Sequence, residues 1–219
     1  MSGVFDEHAR RSSSQLLAHV RVRMGCRLDS PEHSCLCSTP EPVLTHWLSY
    51  TRVMTSVDFG LLIIRVFLGV SFAYHGYNKV FGSGGLAGTA GWFGSLGMKA
   101  PKLQARGAAL TEIAAGLLFA LGLLTPLAAA AMVGLMVVAI VTVHWKVGFF
   151  IFLPNGGWEY CATILVAAWG VAAIGAGGAS LDNAWSIDLG DNWALLTPVI
   201  GVGGAILHLL AFYRPPKSS

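Results

Sequence analysis

Arg65, His75, Lys79 and Glu112 are the side chains whose types and setting could do acid–base chemistry within long apolar runs. Histidine titrates near neutral pH, and a carboxyl group in apolar surroundings can hold and release a proton. Lysine and arginine can steady an anion or a carbonyl oxygen. Ionisable groups are costly in hydrocarbon and need partners, so each is a functional candidate. At 100° per residue, Arg65, Phe72, His75 and Lys79 share an arc of about 80° on one helix. Gly69 and Gly76 border that arc. Ile63, Val66, Phe67, Val70 and Tyr74 occupy the opposite face, which suits lipid, so the polar stripe is expected to face a helical bundle.

A second set lies further along. His144, Asn155 and Glu159 are candidates to line a pocket, with His208 near the last apolar run. If the apolar runs cross up and down, all of these approach the membrane face that also holds His75 and Glu112. Arg65 belongs to the other half. One reading is a polar pocket in which His75 and Glu112 move protons while Lys79 and Arg65 steady an anion or a quinone carbonyl. The structural alternative is a set of ion pairs, Glu112 with His75 or Lys79, that fixes the helix order. No ExxH motif supports a metal site built from the two-His, two-Glu set. Tyr74, Tyr77, Trp145 and Trp158 read as an interfacial aromatic belt before a quinone-stacking set.

The elements that must position these residues are membrane helices. Of 219 residues, 54% are apolar and 11% charged, against about 25% charged in soluble domains. Mean hydropathy is +0.63. The 27 glycines suit close helix approach. The net charge of +3 is scattered, which argues against nucleic acid. Cys26, Cys35, Cys37 and Cys161 form no CxxC pair of the kind a thiol-oxidising enzyme would carry at a helix end. Cys161 reads as a small apolar helix residue.

Residues 1–53 are rich in arginine, serine and proline. They lack the roughly 18 apolar residues of a span and read as a disordered extension, with Met54 a plausible true start. Five apolar segments follow, at 59–81, 107–124, 127–145, 158–177 and 194–212. The Leu124-Thr125-Pro126 break makes the second and third antiparallel neighbours, with Pro126 in the first turn of the third. Trp92, Phe93 and Leu96 are expected on a short interfacial helix. On the fourth segment Glu159, Ala162, Thr163 and Gly170 share a face. Lys99, Lys102, Arg106, Lys146, Arg214 and Lys217 fall on one side, which the positive-inside rule makes cytoplasmic. The N-terminus of the bundle is then outside and the C-terminus inside.

The same residues resemble the DoxX family of small integral membrane proteins. The matching stretches are Arg65-Val-Phe-Leu-Gly69, His75-Gly76 with Lys79, and Leu96-Gly97-Met98-Lys99-Ala100-Pro101. They continue with Glu112 and Gly116, Gly122-Leu-Leu-Thr125, His144, Asn155-Gly156 with Glu159, and Gly175-Ala-Gly177 with Ser180-Leu-Asp182. The resemblance implies an all-α four-helix transmembrane bundle over 57–182. This chain adds a fifth C-terminal transmembrane helix over 193–213 and a basic tail, 214–219.

Similar proteins include subunits of a thiosulfate:quinone oxidoreductase and members of membrane assemblies that handle oxidative or thiol stress. The expectation is therefore a multi-pass protein of the inner or plasma membrane, linked to quinone-dependent redox chemistry with soluble or membrane redox partners. The alternative is a non-enzymatic membrane scaffold or assembly factor whose polar residues are structural. A small-solute transporter is disfavoured, since no inverted repeat or broken helix pair is evident. No haem, flavin, iron–sulfur or nucleotide motif is present in the sequence, so a redox cofactor would be diffusible or carried by a partner.

Overall fold

The computed structural model describes residues 54–215, all within the compact unit Ser49–Ser219. The expectations for 1–53 and for the end of the basic tail lie outside the described residues. Those residues form an all-helical structure: α1 (Ser56–Phe81), α2 (Gly85–Ser95), α3 (Pro101–Leu121), α4 (Thr125–Ala139), α5 (Glu159–Ile174), α6 (Leu181–Ala184) and α7 (Trp193–Phe212). A π-helical turn, Ile140–His144, extends α4. Met98 and Tyr213 form an isolated antiparallel bridge.

Each start and stop has a local cause. Thr55 caps α1 in a reciprocal capping box with Asp58. Pro101 and Pro126 lie in the first turns of α3 and α4, where a missing N–H costs nothing. α3 ends at Gly122, whose left-handed backbone (φ +68°) turns the chain straight into α4. That is the tight antiparallel connection expected between the second and third segments. The short helix expected around Trp92 is α2.

The membrane character is carried by α1, by α4 with its π turn, and by α7. These are long and apolar enough to cross a bilayer. α5 is apolar but has 16 residues, about 24 Å at 1.5 Å per residue. α3 is diluted by Lys102, Arg106 and Glu112. The outward side of α1 presents Ile63, Val66, Phe67, Val70 and Tyr74, as the helical periodicity predicts, and makes a lipid-facing surface.

Glycine sets the helix pairing. α1 and α3 cross antiparallel at Gly69 and Gly116. A Cβ on Gly69 would lie 2.5 Å from the Gly116 carbonyl oxygen, and one on Gly116 would lie 2.5 Å from that of Gly69. Two turns further, a Cβ on Gly76 would be 2.7 Å from the Ala109 oxygen. α4 and α7 run parallel and touch through Gly134 and Gly201 in the same way. Small residues let backbones approach, and packing rather than hydrophobicity holds helices together in lipid. The core between them is filled by Phe72, Phe119, Met132, Ile164 and Val171. On α5 the buried face is Cys161, Ile164, Ala168, Val171 and Ala172. The expected face of Glu159, Ala162, Thr163 and Gly170 does not do the packing: Thr163 is exposed, and a Cβ on Gly170 would meet nothing.

This connectivity gives the bundle two ends. One holds the start of α1, the α3–α4 turn, the end of α5 and the start of α7. The other holds the ends of α1, α4 and α7 and the starts of α3 and α5. At the second end Lys99 N–H donates to Phe212 O (2.7 Å) and Arg214 N–H to Gly97 O (2.9 Å), which ties α7 to the α2–α3 connection.

Candidate functional site

α1 and α3 bring Lys79 and Glu112 together. Lys79 Nζ lies 2.5 Å from Glu112 Oε2, with the carboxylate buried and the lysine half-buried. The contact follows from the glycine crossing. Gly76 lies one turn before Lys79, and its missing side chain lets α1 rest against Ala109 and Glu112. A charge pair in apolar surroundings needs direct contact to offset desolvation, and this one has it. Of the two partners expected for Glu112, the structure selects Lys79.

Beside the pair lies a cavity of about 440 Å³ at the second end, lined by His75, Asn78, Lys79, Gly82, Thr89 and Trp92 among others. Its floor is the Gly-rich connection into α2, pinned where Thr89 Oγ1 donates to Gly85 O (3.0 Å). His75 sits on its rim. The ring is exposed and lies 6.1 Å, centroid to centroid, from Tyr160 of α5. The polar stripe on α1 therefore faces the bundle through Arg65, Phe72 and Lys79, while His75 opens outward. Asn78 and Thr89, which the sequence did not mark, join the lining.

Arg65 is not part of this cavity. It lies 14 residues before Lys79, about 21 Å along the helix, at the first end. It is fully buried, and Nη2 donates to Ala179 O (2.6 Å). Its Nε and Nη1 have no hydrogen-bond partner among the described residues. The Asp182 carboxylate, whose charge acts on Arg65, accepts from Leu124 N–H (2.7 Å) and Thr125 N–H (3.0 Å) at the start of α4. Asp182 N–H donates back to Gly122 O (2.8 Å). Asp58 accepts from Gly178 N–H (2.5 Å). Arg65 and Asp58 tie the loop after α5 to α1, and Asp182 ties it to the α3–α4 turn. Asp182 was legible as part of a sequence stretch but not as a helix-start acceptor, because its partners lie nearly sixty residues away.

His144, Asn155 and Glu159 line neither this cavity nor the bundle interior. They shape the connection from the π turn to α5. His144 Nδ1 bonds Gly156 O (2.8 Å), Glu159 Oε2 accepts from Ile151 N–H (3.1 Å), and Asn155 takes a left-handed turn position (φ +72°). Trp158 packs on Trp145 and Phe149 in the same connection. Its tip presents Phe150, Ile151 and Phe152 outward. His208 lies on α7, away from the Lys79 cavity. Cys161 is buried and has no disulfide partner among the described residues.

The family model for DoxX matches residues 60–145, which run from α1 through the π turn and include Arg65, His75, Lys79 and Glu112. A protein of Bacillus subtilis (strain 168) named "Putative oxidoreductase CatD" is 32% identical over 105 residues, covering 48% of this chain and 72% of that protein. The chain belongs to the DoxX family. No solved structure matches it.

Proposed function

We propose that this protein is the membrane-embedded part of a redox reaction on a quinone dissolved in the bilayer, exchanging electrons with a soluble partner. The observation that carries the reading is the buried Lys79–Glu112 pair beside a cavity with His75 on its rim. The name of the Bacillus subtilis relative points the same way.

Reducing a quinone to its quinol takes two electrons and two protons. In this reading the partner supplies the electrons. Protons enter at the aqueous face, pass His75 and reach Glu112, which sits where hydrocarbon would otherwise bar them. Lys79 fixes the carboxylate in place. Arg65, about 21 Å away along α1, acts as a positioning residue rather than a catalytic one.

The basic residues Lys99, Lys102, Arg106, Lys146 and Arg214 flank the end that holds the cavity. By the positive-inside rule that end faces the cytoplasm of a plasma or inner membrane. The electron-exchanging partner is then cytoplasmic, the start of α1 lies outside and the end of α7 inside.

The test is the quinone content of protein purified gently from native membranes. The reading expects near-equimolar quinone in the parent, and in folded Glu112→Gln bound quinone that no longer turns over. Quinone at the level of co-purified lipid rejects it. A second reading, a membrane scaffold, is favoured by the directness of the ion pair, since a satisfied pair can serve packing by itself. Activity of the native membrane assembly that survives replacement of the pair by Lys79→Met with Glu112→Leu would assign the pair to packing, as the scaffold reading requires.

A further inference from the structure

α3, α4 and α7 leave a cleft between them. α4 forms its floor, touching α3 through the tight turn and α7 through Gly134 and Gly201. The cleft has a volume of about 470 Å³, and α2 and the Met98 bridge close it toward the second end of the bundle. Leu127 and Val138, both in its wall, are about 16 Å apart along α4. The cleft is therefore long as well as deep. Its walls are apolar, and no Asp, Glu, Lys or Arg lines it among the described residues.

Three polar side chains nevertheless face it: Gln104 and Thr111 from α3 and His208 from α7. Gln104 is 8% exposed. None of the three side chains has a hydrogen bond among the described residues. Buried polar groups are normally paired, and Gln104 is the buried one of the three. Gln104 and His208 each lie about one turn in from the second end, whereas Thr111 is two turns deeper than Gln104, about 10 Å. Neutral donors at a rim and partway down an apolar channel are the pattern of a pocket for a lipophilic molecule with a small polar head. With no fixed cation in the wall, a phosphate head is not matched. Carbonyl oxygens are matched, since the glutamine amide, the threonine hydroxyl and an imidazole N–H can all donate to them.

We propose that the α3–α4–α7 cleft binds the uncharged, carbonyl-bearing head of a tailed membrane lipid. Gln104 and His208 hold the head, Thr111 contacts it from below, and the tail runs along α4. Naming that lipid as the quinone rests on the redox reading above. Thr111 and Glu112 are neighbours on α3 that face the cleft and α1 respectively, so the occupant would sit one helix thickness from the proton-carrying pair.

The glycines supply a clean variant. A Cβ on Gly204, in the cleft wall, meets no atom within 4 Å, whereas one on Gly201 would lie 2.7 Å from the Ala130 oxygen. Gly204→Leu therefore fills the cleft without separating α4 from α7. The experiment measures binding of decylubiquinone and of dioleoylglycerol to full-length protein in detergent, for the parent, Gly204→Leu, Gln104→Leu with His208→Leu, and Glu112→Gln, each checked for native helicity.

The proposal expects saturable binding of one probe to the parent, weakened at least tenfold by Gly204→Leu and by the double change. Decylubiquinone as that probe supports the cleft and the redox reading together. Dioleoylglycerol supports the cleft and removes the quinone from it. Quinone binding that Gly204→Leu leaves intact overturns the cleft and spares the redox reading. Absence of saturable binding of either probe overturns the cleft.

Discussion

Lys79 and Glu112 meet at 2.5 Å across the α1–α3 crossing because Gly76, one turn away, lets the two backbones approach. Sequence, packing and chemistry converge on this contact. A glycine permits it, the burial makes it necessary, and the pairing leaves His75 free at the rim of the adjoining cavity.

Removing one member of this pair should be worse than removing both. Breaking a buried ion pair costs about 3–5 kcal/mol, while replacing both partners with apolar groups is often near neutral. Lys79→Met should therefore lower stability in detergent by about 3 kcal/mol, and adding Glu112→Leu should restore most of it. A double-mutant cycle by chemical or thermal unfolding reads the coupling directly. Additive effects would show that the pair does not hold the crossing.

The glycine crossings predict a contrast between positions. Gly116→Val should cost about 1–3 kcal/mol or more and loosen α1 from α3, because its Cβ would press on Gly69 and Ala73. Gly107→Val, on the same helix, should be nearly silent, since a Cβ there meets nothing within 4 Å. Equal losses at the two sites would rule out close approach at Gly116.

At the opposite end, Gly122→Ala should destabilise by about 1–3 kcal/mol through its left-handed backbone. It should also displace Arg65, because a Cβ there runs into Nη1. Asp182→Asn should weaken the same clamp by taking charge from the acceptor of Leu124 and Thr125 N–H. Protease sensitivity of the 175–182 loop should rise in both variants, and an unchanged cleavage pattern would argue against the clamp.

Cys161 is 6% exposed and packed in the core. With Cys26, Cys35 and Cys37 replaced by serine, it should resist maleimide in native detergent micelles and react fully once the protein is unfolded in SDS. Rapid labelling of Cys161 in that native variant would contradict the α5 packing.

The sequence made the long helices and the short α3–α4 turn legible, because apolar runs and proline carry direct physical signals. The side of α1 that turns inward was legible for the same reason, from Arg65 and Phe72. Its width was not. His75 lies about 80° round the helix from Arg65, and whether such an edge position is covered depends on the neighbour. α3 approaches over Gly69 and Gly76, which leaves His75 outside. On α5 nearly every residue is apolar or small, so periodicity could not separate the Cys161 face from the Glu159 face. The Asp182 bonds and the cleft around Gln104, Thr111 and His208 arise from helices distant in sequence. No local pattern encodes their meeting.

The central claim is that Glu112 changes its protonation when a quinone bound to this protein is reduced. Redox-induced infrared difference spectroscopy on full-length protein loaded with decylubiquinone tests it most directly. The account predicts a carboxyl signal that appears on reduction and vanishes in folded Glu112→Gln while the quinone bands remain. Identical difference spectra from the two proteins would contradict it.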